Sequence, residues 1–179
     1  PELPDSLNRE MDNYSKAAGE NQIVIGVLRG DQQAIKKAKA QLSSSRADPI
    51  TRLEIANAFG SIADSSAVPA LSKLLSLDQQ SALKRVSLQS LANYTDPGIP
   101  RTILSRYGST LPAEHHVRST ADRVMAGRFE WANMYLEKID LAHIKARDIS
   151  PDVVQLLEQH QDPEIDQKIA HLWPDLAKK

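Results

Sequence analysis

Apolar residues recur along this chain at intervals of three and four, in short stretches separated by polar breaks rich in Asp, Ser and Pro. That spacing lines one face of an amphipathic helix. The pattern is plainest between Arg52 and Leu75. Ile55, Ala56, Phe59 and Ile62 mark a first helix, and Asp64, Ser65 and Ser66 interrupt it with side chains suited to capping. Ala67, Val68, Ala70, Leu71, Leu74 and Leu75 then mark a second helix. The unit is a helix, a tight turn and a helix.

This unit recurs. A shift of 32 residues carries Ala56, Phe59 and Asp64 onto Leu88, Leu91 and Asp96, and the reverse shift carries Ile55 and Phe59 onto Ile23 and Val27. Ala34, Ile35, Ala38 and Leu42 stand 33 residues before Ala67, Val68, Leu71 and Leu75, and Leu88 and Leu91 stand 33 before Ala121 and Val124. Asp96-Pro97, Ile99 and Ile103 return 66 residues later as Asp162-Pro163, Ile165 and Ile169. Matches over four or five units point to an internal repeat rather than to the generic periodicity of a helical bundle.

The breaks agree with this reading. Asp48-Pro49, Asp96-Pro97, Ser150-Pro151 and Asp162-Pro163 each pair a capping side chain with a proline, whose missing N–H costs nothing in a first helical turn. Val68-Pro69 places a proline in a first turn as well. Leu111-Pro112 reads as a further, uncapped start, with Glu114 favourably placed near the helix N-terminus.

The predicted helices therefore come in pairs: Gln22–Leu28 with Asp31–Ser43, Pro49–Ala63 with Ala67–Leu75, Gln79–Asn93 with Pro97–Tyr107, Pro112–Met125 with Phe129–Ile139, and Pro151–Gln159 with Pro163–Leu172. A short turn or helix is expected at Ala142–Ala146. The pairs define units of about 21–45, 48–77, 79–108, 111–140 and 142–174 within a repeat domain spanning 21–179. Residues 1–20 are polar and predict a fraying helix around Leu7–Ala18. Each pair has an apolar face it cannot bury alone, so the expected fold is all-α, a right-handed α-α superhelix of four to five stacked pairs.

Composition narrows the function. The chain has 179 residues, with 22 Lys plus Arg against 23 Asp plus Glu and no Cys. Near-neutrality argues against a nucleic-acid groove. The absence of Cys removes disulfides, thiolate nucleophiles, sulfur-ligated zinc and haem attached through Cys-x-x-Cys-His. Seven Gly and few aromatics fit neither a β-sandwich nor a glycine-looped nucleotide site. The longest apolar run, Ile23 to Leu28, is too short to span a bilayer, and no signal-peptide pattern occurs. The chain begins at Pro1, which reads as an excised or processed piece.

Candidate chemistry is sparse. In Glu114-His115-His116 the adjacent histidines would point about 100° apart on a helix, which does not chelate one ion, and no His-Glu-x-x-His spacing exists. His143, His160 and His171 read as polar-face residues. Asp162/Glu164/Asp166 and Glu137/Asp140 read as solvated helix faces, and Asp64, Asp96 and Asp162 as caps rather than acids facing across a pocket. Ser43-Ser44-Ser45 needs only a loop. The basic clusters Lys36-Lys37-Lys39 and Arg118-Arg123-Arg128 lack interleaved aromatics and read as solvated. Trp131 and Tyr135 share a helix face and should be core. No catalytic, metal or cofactor-binding residue is expected. A partner groove on the second helices is expected to be lined by Lys73, Arg101, Arg106 and Asn133, with Trp173 either closing the last unit or marking an interdomain contact.

Two resemblances add context. The run Ala58-Phe59-Gly60-Ser61-Ile62-Ala63-Asp64-Ser65-Ser66-Ala67-Val68-Pro69-Ala70-Leu71 resembles a HEAT repeat, in units shorter than the ~40 residues usual for such arrays. A second resemblance covers Ser90 to Trp173, through Ile103-Leu104-Ser105-Arg106-Tyr107, Leu111-Pro112-Ala113-Glu114, Phe129-Glu130-Trp131-Ala132, Leu136-Glu137-Lys138-Ile139, Ile144-Lys145-Ala146-Arg147-Asp148-Ile149-Ser150, Asp162-Pro163-Glu164-Ile165 and Leu172-Trp173. In this order they resemble the HEAT-like segment of bacterial PVC-type haem-binding cytochrome c proteins, membrane-bound-dehydrogenase-like, in which a β-propeller often precedes the helices and a Cys-x-x-Cys-His domain follows them. The resemblance implies an exported, periplasmic redox parent with this chain as its spacer or docking module. The family's haem site maps onto no residue here, since the chain has no Cys. The expected function is a non-catalytic scaffold whose partners are proteins or neighbouring domains, with no nucleic acid, no membrane and no cofactor in this chain. A stand-alone adaptor with a partner in its concave groove is the first alternative. An enzyme using a His/carboxylate pocket is the second, which no pattern here favours.

Overall fold

Ten helices follow one another with short connections among the residues described by this computed structural model, 22–76 and 79–175. Residues 22–28 form α1. Then come Gln32–Ser43 (α2), Pro49–Ile62 (α3), Val68–Lys73 (α4), Ser81–Leu91 (α5), Gly98–Arg106 (α6), Val117–Ala126 (α7), Phe129–Asp140 (α8), Pro151–Glu158 (α9) and Pro163–Leu172 (α10). No strand occurs among the described residues, where a single isolated bridge joins Tyr107 and Leu111. The fold class is all-α. The helix expected around Leu7–Ala18 lies outside the described residues.

The helix starts obey local chemistry. Asp31 accepts from the Gln33 and Ala34 amides (2.8 and 3.2 Å), Asp48 from Thr51 (2.9 Å) and Asp162 from Glu164 and Ile165 (3.0 and 3.1 Å). Each such cap stabilises its helix by about 1 kcal/mol. Pro49, Pro151 and Pro163 occupy first helical turns. Two starts differ from expectation. Pro97 stays outside α6 while Asp96 accepts from the Gly98 amide at 2.7 Å. Ser150 makes no cap bond, and its hydroxyl instead reaches the Asp152 carboxylate.

The largest departure is at Pro112, which does not open a helix. A three-residue 3₁₀ turn, Glu114–His116, precedes α7, and His115 and His116 sit at positive φ, 52° and 60°. The physical reason lies upstream. The Thr110 hydroxyl donates to the Leu75 carbonyl (2.7 Å), the Lys84 ammonium to the Thr110 carbonyl (2.7 Å), and Leu111 is fully buried. These anchors hold the chain against neighbouring helices, so α7 begins only at buried Val117. The short turn or helix expected at Ala142–Ala146 is a turn. It runs into a 3₁₀ turn at Ala146–Asp148, with Ile144 and Ile149 buried on either side.

Packing sorts the helices into two layers. α3, α5, α7 and α9 lie against one another in chain order, as do α2, α4, α6, α8 and α10. The layers meet at α2–α3, α4–α5, α7–α8 and α9–α10. Between them runs a core of Phe59, Leu71, Leu75, Leu88, Leu91, Ile103, Tyr135, Leu136 and Val153, all fully buried. Each Leu or Ile buried this way contributes about 1.5–3 kcal/mol. The broadest contact is α3 on α5, where Gly60 lets the backbones approach closely: a Cβ there would sit 2.9 Å from the Ser90 Cα.

Candidate functional site

Carbonyls near the C-terminal ends of the helices also take side-chain donors from one layer step away. At the end of α3, Ala56, Phe59 and Gly60 accept from Ser90 Oγ (2.8 Å), Tyr94 Oη (2.7 Å) and Asn93 Nδ2 (3.1 Å). At the end of α5, Ala92 accepts from Arg128 Nη1 (3.0 Å), which also reaches the Tyr94 carbonyl. At the end of α7, the Ala126 carbonyl is 2.7 Å from His160 Nε2. The even layer does the same, with Arg106 donating to the Ser72 carbonyl and Thr110 to Leu75. Every one of these pairs is separated by 33–36 residues. Tyr94 stays a donor across the working pH range, because burial and then the Asp64 charge push its phenol up to about 12.

Arg128 does more than close α5. Its guanidinium lies over the Trp131 ring, 4.8 Å from the centroid. Replacing it by Met keeps the aliphatic stem but leaves two carbonyls without that donor. Arg128→Met is expected to lower stability by about 2 kcal/mol, read as a fall in the urea midpoint with an unchanged slope.

A second polar cluster is buried between α6, α7 and α8. Asp122 Oδ1 accepts from both Tyr107 Oη (2.6 Å) and Tyr135 Oη (2.7 Å). Burial lifts the Asp122 carboxyl above the usual range, against the two phenols and the Arg118 and Arg123 charges that pull it down. The same burial, with the Asp122 charge, pushes both phenols far up. Arg118 stands over the Tyr107 ring at 5.5 Å. The cluster braces three helices, and of its members Tyr107 also lines a cleft beside α6. Residue pattern did not single out Asp122. The available signal was its place beside the inward stripe Val117, Ala121 and Met125.

The residues singled out as a partner groove separate into two groups. Lys73, in the last turn of α4, and Arg101, on α6, are exposed. Arg106 is turned onto Ser72, as a tie between α6 and α4. Asn133 is half-buried on α8, and its Oδ1 finds no partner among the described residues. Trp173 is half-buried, its indole N–H donating to the Ala146 carbonyl at 2.9 Å, which ties the end of α10 to the preceding 3₁₀ turn. The histidines also divide. His115, His116, His143 and His171 are exposed, with His171 3.8 Å from Asp140, whereas His160 is a structural tie packed edge-on against Phe129 at 6.0 Å. His160 was expected on a polar face; tertiary packing of α9 on α7 turns it inward. Asp64, Asp96 and Asp162 each accept the amide two residues on. Arg123 reaches across to Asp152 (2.9 Å), whose carboxyl the Ser150 hydroxyl and Arg123 hold below the usual range.

Among the described residues no group of three or more His, Cys, Asp or Glu is placed to hold a metal ion, and no helix is long and apolar enough to cross a membrane. What the even layer does offer is a cleft. Between α6, α8 and the turn after α8 lies a depression of about 460 Å³ lined by Arg101, Leu104, Tyr107, Met134, Lys138 and Ile144. No family model matches this chain, and no curated protein or solved structure matches it either.

Proposed function

We propose that this chain is a non-catalytic helical-repeat scaffold, an α-α superhelix of compact HEAT-like pairs, whose even-helix layer receives a protein partner. The observation that carries the reading is the set of side-chain-to-carbonyl ties at separations of 33–36 residues. That interval is close to the one at which the apolar pattern returns. Tyr and Asn, Arg, and His do the same work at the ends of α3, α5 and α7, so the position recurs although the residue changes. A bundle of unrelated helices has no reason to place eight such bonds at one interval, beside others at 16, 26 and 27 residues. The layer contacts in chain order support the same reading, since each unit buries its apolar face on its neighbours.

In this reading the odd helices form the convex layer and the even helices the concave one. Depressions of similar size occur on both layers, about 470 Å³ between α1 and α3 and about 390 Å³ between α5 and α7 on the odd one. It is therefore the exposed cations Lys73 and Arg101, together with the α6–α8 cleft, that support the even layer as the partner face. The likeness of residues 90–173 to the helical segment of PVC-type cytochrome c proteins supports an exported redox parent, in which neighbouring domains are the first partners and the haem is bound elsewhere.

Site-specific photo-crosslinking in the source cells tests the partner face. A benzophenone amino acid at Lys73 or Arg101 is expected to yield discrete crosslinked species, and one at Glu54 or Gln89, exposed on the odd layer, is not. Crosslinks confined to the odd layer, or none at either, would overturn the reading.

A further inference from the structure

We propose that the α6–α8 seam is a docking groove for an extended acidic peptide segment that also carries an apolar side chain. The proposal rests on the reading of the even layer as a partner face. Its shape argues for a chain-like occupant. The 460 Å³ cleft adjoins a second depression of about 270 Å³ against Pro97, Pro100 and Trp131, and Arg101 and Met134 line both. The combined trough follows α8 from Trp131 to Lys138, which is about 11 Å of helix rise. A trough of this form suits an extended strand rather than a compact molecule.

Charge and floor specify the occupant's chemistry. Leu104, Met134 and Ile144 make the base of the larger depression apolar. Arg101, Lys138 and His143 stand around it, against one acid, Glu137. The other arginines on α6 to α8 are engaged: Arg106 on Ser72, Arg118 over Tyr107, Arg123 on Asp152 and Arg128 on the end of α5. The Arg101 and Lys138 side chains, by contrast, have no hydrogen-bond or ion-pair partner among the described residues. In a chain of net charge -1, two unspent cations facing one apolar floor from two helices attract a carboxylate flanked by an apolar side chain. Glu130 lines the Trp131 end, so the acidic part of the peptide belongs at the His143 end.

The test selects a phage-displayed random dodecapeptide library on the immobilised full chain, then titrates the winning peptides, fluorescein-labelled, by anisotropy. Enriched peptides are expected to combine Asp or Glu with Leu, Ile or Phe, and to weaken as salt rises. R101E/K138E is expected to weaken them at least tenfold while remaining folded at the assay temperature, because neither side chain makes a hydrogen bond or ion pair among the described residues. Its thermal midpoint is expected to fall only slightly, from the acid placed in the last turn of α8. K36E/K37E makes the same change of net charge on exposed positions of α2 and is expected to leave binding unchanged. Peptides without acids, equal loss in both double variants, or indifference to R101E/K138E would overturn the groove. If no peptide is selected, the groove falls alone where crosslinks at Lys73 still form, and the partner-face reading falls with it where they do not.

Discussion

Gly60→Val is expected to lower the stability of this chain by about 3 kcal/mol. Gly60 lies on α3 at its broadest contact, and a Cβ there meets the Ser90 Oγ at 2.8 Å and the Ser90 Cα and Cβ at 2.9 Å. One of those atoms is backbone, so α5 itself must move. Moving it stretches the Ser90-to-Ala56 bond (2.8 Å) and the Asn93-to-Gly60 bond (3.1 Å), which tie the same two helices. Helix propensity acts the other way: Ala in place of Gly inside a helix gains about 1 kcal/mol. The clash outweighs that gain, so Gly60→Ala is expected to lose about 1 kcal/mol net and Gly60→Val the larger amount. Urea unfolding of the three proteins checks the order. A higher midpoint for Gly60→Ala would show that α3 and α5 do not meet this closely.

Asp122 is expected to separate two substitutions that look alike on paper. Asp122→Ala leaves the Tyr107 and Tyr135 phenols without an acceptor and is expected to cost about 2–3 kcal/mol. Asp122→Asn keeps an oxygen where Oδ1 now accepts both phenols, and it removes the cost of burying a charge. It is expected to equal or exceed the wild type at pH 7. The pH dependence follows from the raised carboxyl. The folded state holds this proton to higher pH than the unfolded chain does, where an aspartate titrates near ~3.9. The native state therefore binds more protons within that window, and this group's contribution to stability falls as pH rises from the unfolded pKa through the raised folded one. Asp122→Asn is expected to remove that slope. Denaturation midpoints of the two proteins from pH 4 to 8 read it directly, and parallel profiles would mean that the carboxyl is not raised. A drop in the Asn variant comparable with that of the Ala variant would show that both phenols need the ionised carboxylate.

Much of the helical framework was legible because its signals are local. Apolar spacing located all ten described helices, and Asp48 and Asp162 cap where their neighbours' types said they would, whereas Asp31, read as the first residue of its helix, turns out to cap it. The misread stretch, Pro112 to His116, is one where distant groups overrule local preference. Thr110 and Leu111 are held by Leu75, Lys84 and the core, and nothing within the run from Thr110 to Val117 announces those partners. The candidate groove was half legible. Arg101 was identifiable as a surface cation, but Lys138 joins it only because α8 packs on α6, and His143 and Ile144 only because the turn after α8 folds back beside it. Arg106 looked equivalent to Arg101, five positions away on the same helix, yet its guanidinium is spent on Ser72.

The sequence by itself determined that the chain is helical, where most helices begin, and that no Cys-dependent chemistry occurs in it, because propensity, capping and apolar period act over three to four residues. Only the tertiary structure decided which polar side chains turn inward and which remain free. Ser90, Tyr94, Arg128 and His160 find their carbonyls 34 to 36 residues away, and Asp122 finds its phenols 13 and 15 away. Partners at that distance are brought together by burial, whose free energy follows apolar area and leaves no mark on the type of any one polar residue.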